Sequence, residues 1–332
     1  MKFVFGIFLI CLFLIFCSCD DNHPFESIDP EYQSAIYVMD SDGSNKEKII
    51  DGGSNVQYIP NTNKILYVKG GYEADTLYTV NDDGSENSRI CGELKRFFPS
   101  IKISEDGQYC YVVSFMYGDR TSDIYQIDLI NKTYINLTNN NNKRVYANAY
   151  KENILVYTVE ESQDNWLLMK LDLNNNQFDT LLTVQENTFI NPITFGNTNN
   201  EIIFSWAGVD FLCGIYNMDI AENVVDTITT LTYGGGLTFT NYNNLFIEHN
   251  DILHFDLSTN ILTSLVLGEY PDFHSDIMLY STGSHDYNSD IRALNLLNME
   301  NILLTSHGFN PSFSNDAEKI VFIGIEEISY ED

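Results

Sequence analysis

The sequence predicts an all-β fold, a β-propeller of seven four-stranded antiparallel blades. Three observations predict it. A short apolar strand ending in Asp or Asn recurs at a period near forty residues. A second, turn-rich unit precedes each copy. Helical periodicity is almost absent. A period of about forty residues built from strands is the mark of a propeller with one blade per repeat.

The marker strand is Ile36-Tyr37-Val38-Met39-Asp40 in its first copy and Leu77-Tyr78-Thr79-Val80-Asn81 in its second. Five more begin at Ile124, Leu168, Ile215, Ile252 and Ile291, at successive spacings of 41, 47, 44, 47, 37 and 39. Most of these strands read as continuous apolar runs rather than clean alternation, because blades packed face to face cover both sides of a strand.

The second unit is clearest at the end of the chain, where Asn310-Pro311-Ser312-Phe313-Ser314-Asn315-Asp316 leads into Lys319-Ile320-Val321-Phe322-Ile323. Other copies start near Pro99, Pro192 and Pro271. The Asp-Gly and Asn-rich turns supply the positive φ that tight hairpins need. Full blades then span about 55–90, 97–137, 145–182, 191–231, 236–265 and 269–304. Residues 36–50 carry only outer strands and 311–323 only inner ones, so the two ends together make a seventh blade and close the ring. A six-bladed ring is the alternative.

These copies resemble the TolB-like, WD-repeat-like propeller family. Its repeat reads roughly Pro-x-x-Ser-Pro-Asp-Gly, a strand, Ile-Tyr-x-x-Asp-x-Asp-Gly, and a strand ending Leu-Thr. This chain supplies Ser104-Glu105-Asp106-Gly107, Asp40-Ser41-Asp42-Gly43, Asn81-Asp82-Asp83-Gly84 and the pairs Leu137-Thr138, Leu231-Thr232 and Leu304-Thr305. The likeness covers residues 34–324.

The first residues read as an address. Lys2 precedes an apolar run from Phe3 to Phe16, the length of a signal-peptide core and short for a membrane span. Phe16-Cys17-Ser18-Cys19 resembles a bacterial lipobox, with Cys19 the lipidated residue, and Asp20-Asp21 behind it resembles the surface-export signal of Bacteroidetes-type lipoproteins. The expected organisation is a signal peptide over 1–18, a flexible tether over 19–33, the propeller over 34–324 and a tail over 325–332. The expected location is the bacterial cell envelope, by a lipid anchor in the outer membrane, on its surface or periplasmic side.

Net charge is −30, from 17 basic and 47 acidic residues. That excludes a nucleic-acid partner, whose phosphates demand a basic surface, and fits a monomeric body that repels its own kind. Of six cysteines, Cys11 and Cys17 belong to the signal. Cys91, Cys110 and Cys213 remain, with a Cys91–Cys110 bridge as one option.

Ligand contacts are expected in the loops between second and third strands and between successive blades. Trp166 and Trp206 fall there, with Tyr72, Glu73, Phe115, Tyr117, Arg120, Asp210, His285 and His307. Aromatic rings bury much area at low entropic cost, so a rim of them suits a protein segment or a glycan. The Asp-rich turns fall on the opposite face and lack the distal Glu of a calcium loop, which makes them hairpin chemistry. No nucleophile elbow and no phosphate loop appears. The histidines show no ligand spacing, and no cofactor or metal is expected. The expected function is non-catalytic binding on the loop face. The alternative is a metal-assisted polysaccharide lyase or hydrolase using His285, His307 and nearby carboxylates.

Overall fold

A computed structural model describes residues 32–70, 75–91, 97–115, 121–139, 143–162, 165–185, 189–207, 213–231, 237–240, 244–249, 251–259, 261–283 and 288–327. Its strands form seven separate four-stranded antiparallel sheets. The chain enters through β1 (Tyr32–Asp40) and β2 (Glu47–Asp51), then builds six blades in order. Blade 1 is β3 (Ser54–Tyr58), β4 (Lys64–Gly70), β5 (Asp75–Asn81) and β6 (Ser88–Cys91). Blade 2 is β7 (Phe97–Ile103), β8 (Tyr109–Phe115), β9 (Ser122–Asp128) and β10 (Thr133–Asn136). Blade 3 is β11 (Arg144–Lys151), β12 (Ile154–Ser162), β13 (Asn165–Asp172) and β14 (Gln177–Gln185). Blade 4 is β15 (Phe189–Phe195), β16 (Glu201–Ala207), β17 (Cys213–Asp219) and β18 (Val224–Leu231). Blade 5 is β19 (Leu237–Thr240), β20 (Asn244–His249), β21 (Asp251–Asp256) and β22 (Ile261–Leu267). Blade 6 is β23 (Glu269–His274), β24 (Ile277–Ser281), β25 (Asp290–Asn295) and β26 (Asn301–Ser306). Last come β27 (Gly308–Phe313) and β28 (Lys319–Glu327), which join β1 and β2 in the order β2-β1-β28-β27. The ring has seven blades, and the seventh takes two strands from each end of the chain. No helix occurs among the described residues.

The core is divided into slabs. Seven apolar clusters fill the seven junctions between neighbouring blades. Of the eight largest fully buried side chains, Tyr67, Tyr111, Tyr157, Tyr280, Phe204, Phe246 and Phe322 sit on the second strand of their blades, and Phe255 on a third strand.

The marker strand shows why its sequence repeats. In six blades the register between third and fourth strands shifts just after the first marker residue: Ile36/Tyr37, Leu77/Tyr78, Leu168/Met169, Ile215/Tyr216, Ile252/Leu253 and Ile291/Arg292. The extra residue on the outer strand is always aliphatic: Ile49, Ile90, Leu181, Ile228, Leu265 and Leu304. Each packs into the cluster shared with the following blade. A bulge adds one residue and sharpens the local twist. Here it turns one more apolar side chain towards the next blade at the wide outer edge, where the wedge between blades is hardest to fill.

The inner strands carry a second bulge, and it explains the prolines. Pro99, Pro192, Pro271 and Pro311 lie inside the register shifts between first and second strands. Proline cannot donate to a ladder, and a bulge on the innermost edge strand needs no donor there. Asn55, Tyr270 and Asn310 begin three of these bulges in left-handed backbone, at φ 50°, 53° and 52°.

The Asp-rich turns are hairpin chemistry. Asp42 accepts from the Ser44 amide at 2.9 Å and Asp40 from the Asn45 side chain at 2.6 Å. Asp83 accepts from the Ser85 amide at 2.9 Å. The side-chain hydrogen bonds of Ser44 and Ser85 first, and those of their amides second, hold Asp42 and Asp83 below the usual carboxylate range. The hairpins joining first and second strands lie on this same face, the turn face, and bond from blade to blade. Asn315 donates to the carbonyls of Ile59 and Thr62, Asn61 to that of Glu105, the Glu152 amide to Glu105, and Asn199 to Glu152. A belt of hydrogen bonds thus runs from blade 7 through blades 1, 2 and 3 to blade 4.

Cys91 and Cys110 are both buried and free, so the optional bridge between them is absent. They sit together in the cluster between blades 1 and 2.

Candidate functional site

The opposite face carries the loops between second and third strands and between blades. The chain enters the ring here as well, because β1 is the third strand of its blade and Tyr32 pairs with Glu327. Of the residues expected to bind, Tyr72, Glu73, Tyr117, Arg120, Asp210 and His285 lie outside the described residues, as does Cys19. Phe115 ends β8. His307 joins blade 6 to blade 7 in left-handed backbone at φ 60°. Its carbonyl accepts from the Ile325 amide at 2.9 Å.

The structure sets the two tryptophans on facing sides of one junction. Trp166 is cross-strand neighbour to Glu160, and the same face of blade 3 carries Leu168 and Val156. Those two residues pack against blade 4. Trp206 of β16 packs into the same junction from the other side. Both residues are half-buried, and register sets Trp166 on the face of blade 3 that looks to blade 4, at the loop-face end. His307 stands three blades away round the ring.

Around Trp166 is a polar network. Tyr146 lies against its ring at a centroid distance of 4.8 Å and 39°. The Tyr146 hydroxyl donates to Glu160 at 2.6 Å and accepts from Arg144 at 3.0 Å. Arg144 and Glu160 pair at 3.7 Å, each about one quarter exposed, at 27% and 23%. Burial first, and the carboxylate of Glu160 second, raise the Tyr146 phenol above its ordinary value. Beside it Lys143 pairs with Glu161 at 3.0 Å, and Asn165 donates to Glu161 at 2.6 Å. Across the cleft Trp206 lies 5.3 Å from Tyr216, which stacks on Phe204 at 5.8 Å. Gly214 leaves the space that the Tyr216 ring fills; a Cβ there would lie 2.4 Å from that ring.

Arg144, Tyr146 and Glu160 did not stand out in the sequence. The alternation Arg144-Val145-Tyr146 on an inner strand was the available signal, since it puts a cation and a ring on one face. The arrangement offers two flat apolar surfaces, a fixed guanidinium and a fixed carboxylate. That suits recognition of a chain with polar and apolar groups in alternation. Among the described residues, no three His, Cys, Asp or Glu side chains are gathered closely enough to hold a metal ion.

No family model and no curated protein sequence matches the chain. Solved structures do. The β-propeller domain of the Trilobed protease from Pyrococcus furiosus superposes with a TM-score of 0.61 at 12% identity, covering 84% of this chain and 91% of that one. The fold is that of the β-propellers. An oligogalacturonate lyase in complex with manganese gives 0.59 at 12% identity, covering 89% and 91%. TolB from Acinetobacter baumannii gives 0.55 at 16% identity, covering 80% of this chain, which spans 64% of TolB. At such identities the likeness is one of fold, and a propeller scaffold serves many unrelated functions.

Proposed function

We propose that this propeller is a non-catalytic docking module of the bacterial envelope, which holds a protein segment or a glycan on its loop face. The observation that carries the reading is the convergence of Trp166 and Trp206 on one interblade cleft, beside the Arg144–Tyr146–Glu160 network. Aromatic anchors with a fixed charged pair are what concentrate binding energy in an interface. An anchor at Cys19 leaves about a dozen residues before Tyr32, a reach of roughly 45 Å if fully extended. Because Tyr32 sits on the loop face, that tether draws the docking cleft towards the membrane. The partner is then a membrane-bound protein or a glycan close to the surface. The charge of −30 keeps the body itself monomeric.

The test is capture from intact envelopes with the lipidated protein, in parallel with a glycan array. Trp166→Ala and Trp206→Ala should each weaken capture at least tenfold while the protein stays folded. Undiminished capture by both variants would sink the reading. The two arms separate a protein partner from a glycan.

A further inference from the structure

The turn face holds a feature that the loop-face reading leaves unused. At that mouth of the central channel, between blades 2, 3 and 4, is a cavity of about 360 Å³. Lys102, Lys151, Thr194 and Asn197 line it, with Tyr150 as an aromatic wall. No carboxylate is among its lining residues, although the chain carries 47 of them against 17 basic residues. Another cavity of this face, between blades 7 and 1, shows the contrast: Asp82, Asp316 and Glu318 surround its one lysine, Lys319.

The two lysines differ in how they are held. Lys151 donates to the carbonyls of Gly196 at 2.9 Å and Asn197 at 3.2 Å. An ammonium has three protons, so one remains for a ligand while two fix its position. Lys102 makes no hydrogen bond or ion pair. Elsewhere, Lys48, Lys64, Lys143, Arg144, Lys170 and Lys319 pair with carboxylates. Strand register shows that Lys102 is a substitution in the repeat. Ile103, Phe273 and Phe313 all face the first or second residue of their second strands, so Lys102 is equivalent to Asp272 and Ser312. Lys102 is exposed to solvent, and desolvation by the surrounding protein lowers its pKa.

We infer that this channel mouth is a binding site for a small carboxylate anion, held by Lys102 and Lys151 together. Lys102 supplies the unpaired charge and Lys151 a positioned donor. Glu105 bonds the Tyr150 hydroxyl and Glu201 accepts from the Asn197 amide, so both carboxylates are engaged by the walls while the two ammonium groups are left to draw an anion. The site stands apart from the loop-face cleft, and neither depends on the other.

Calorimetric titration of the full chain with succinate tests this, at constant ionic strength, with acetate and sodium chloride as comparison ligands. Succinate should bind and acetate should bind more weakly, since a dianion brings two carboxylates to the two lysines and acetate only one. Lys102→Met and Lys151→Met should each weaken succinate at least tenfold, while Lys132→Met, outside the cavity, leaves it unchanged. Succinate should also raise Tm in the parent and not in Lys102→Met, because a ligand that binds only the folded state stabilises it. Lys102→Gln replaces Lys102→Met if the latter fails to fold. No binding, equal binding by either lysine variant, or an equal effect of sodium chloride would overturn the inference.

Discussion

Gly43 lies against the backbone of Leu304: a Cβ at Gly43 would sit 2.8 Å from the Leu304 carbonyl oxygen. Leu304 is the bulge residue of blade 6, and Gly43 belongs to the Asp-x-Asp-Gly turn of blade 7. The same relation joins Gly84 to Ile49, the bulge residue of blade 7, with more room at 3.5 Å. The glycine of the repeat therefore answers two demands, a positive φ and the approach of the preceding blade. Gly43→Ala should destabilise by roughly 2–4 kcal/mol, from left-handed strain plus the clash, and Gly84→Ala by roughly 1–2 kcal/mol from strain alone. Urea unfolding of both variants checks the order; equal losses would refute the packing role.

The bulge residues should weigh according to burial. Ile90 is 5% exposed in the junction of blades 1 and 2. Ile90→Ala should cost about 2–4 kcal/mol by lost burial and the cavity left behind. Leu304→Ala, at a half-buried position, should cost about half as much. Denaturant midpoints at unchanged slope are the measurement.

The closure seam is joined by charge as well as by strands. Lys319 of the last strand donates to Asp82 of blade 1 at 2.8 Å. Removing it with Lys319→Met should cost about 1 kcal/mol, since Asp82 keeps only water as a partner. A loss far below that in thermal melts would mean the ion pair contributes nothing to the seam.

Alkali should loosen the pairing of the first and last strands inside blade 7, where Tyr37 meets Glu326. Burial first, then its hydrogen bond to Glu326, push the Tyr37 phenol up to about 12. A folded-state pKa above the unfolded value of about 10 means the folded chain keeps a proton that the unfolded chain releases. This contribution is whole below pH 10 and is lost as pH rises towards 12. Tyr37→Phe should show a shallower loss of stability across that window in urea titrations at each pH.

Cys91 and Cys110 should stay unmodified by thiol reagents in the native protein. Burial raises both thiols, Cys91 to about 11, which leaves almost no thiolate at neutral pH. Peptide mapping after alkylation should find both labelled only in denaturant. Rapid native labelling would show that the junction of blades 1 and 2 opens.

The sequence by itself determined the architecture. The spacing of the marker strands gave seven blades, and the half-blades at the two ends gave the closure, because strands, turns and their period are local in the chain. It also placed Trp166 and Trp206 on the loop face and assigned the Asp-rich turns to hairpins. The tertiary structure alone decided which side chains meet. The facing of Trp166 and Trp206 across one junction needs strand register, since a shift of one residue would turn Trp166 to the other side of blade 3. The network of Arg144, Tyr146 and Glu160 joins first and second strands to Trp166 on the third. The isolation of Lys102 could not be read from a chain with 47 acidic residues, because pairing depends on distances across three blades. Local pattern sets what the strands are; packing between blades sets what their ends can bind.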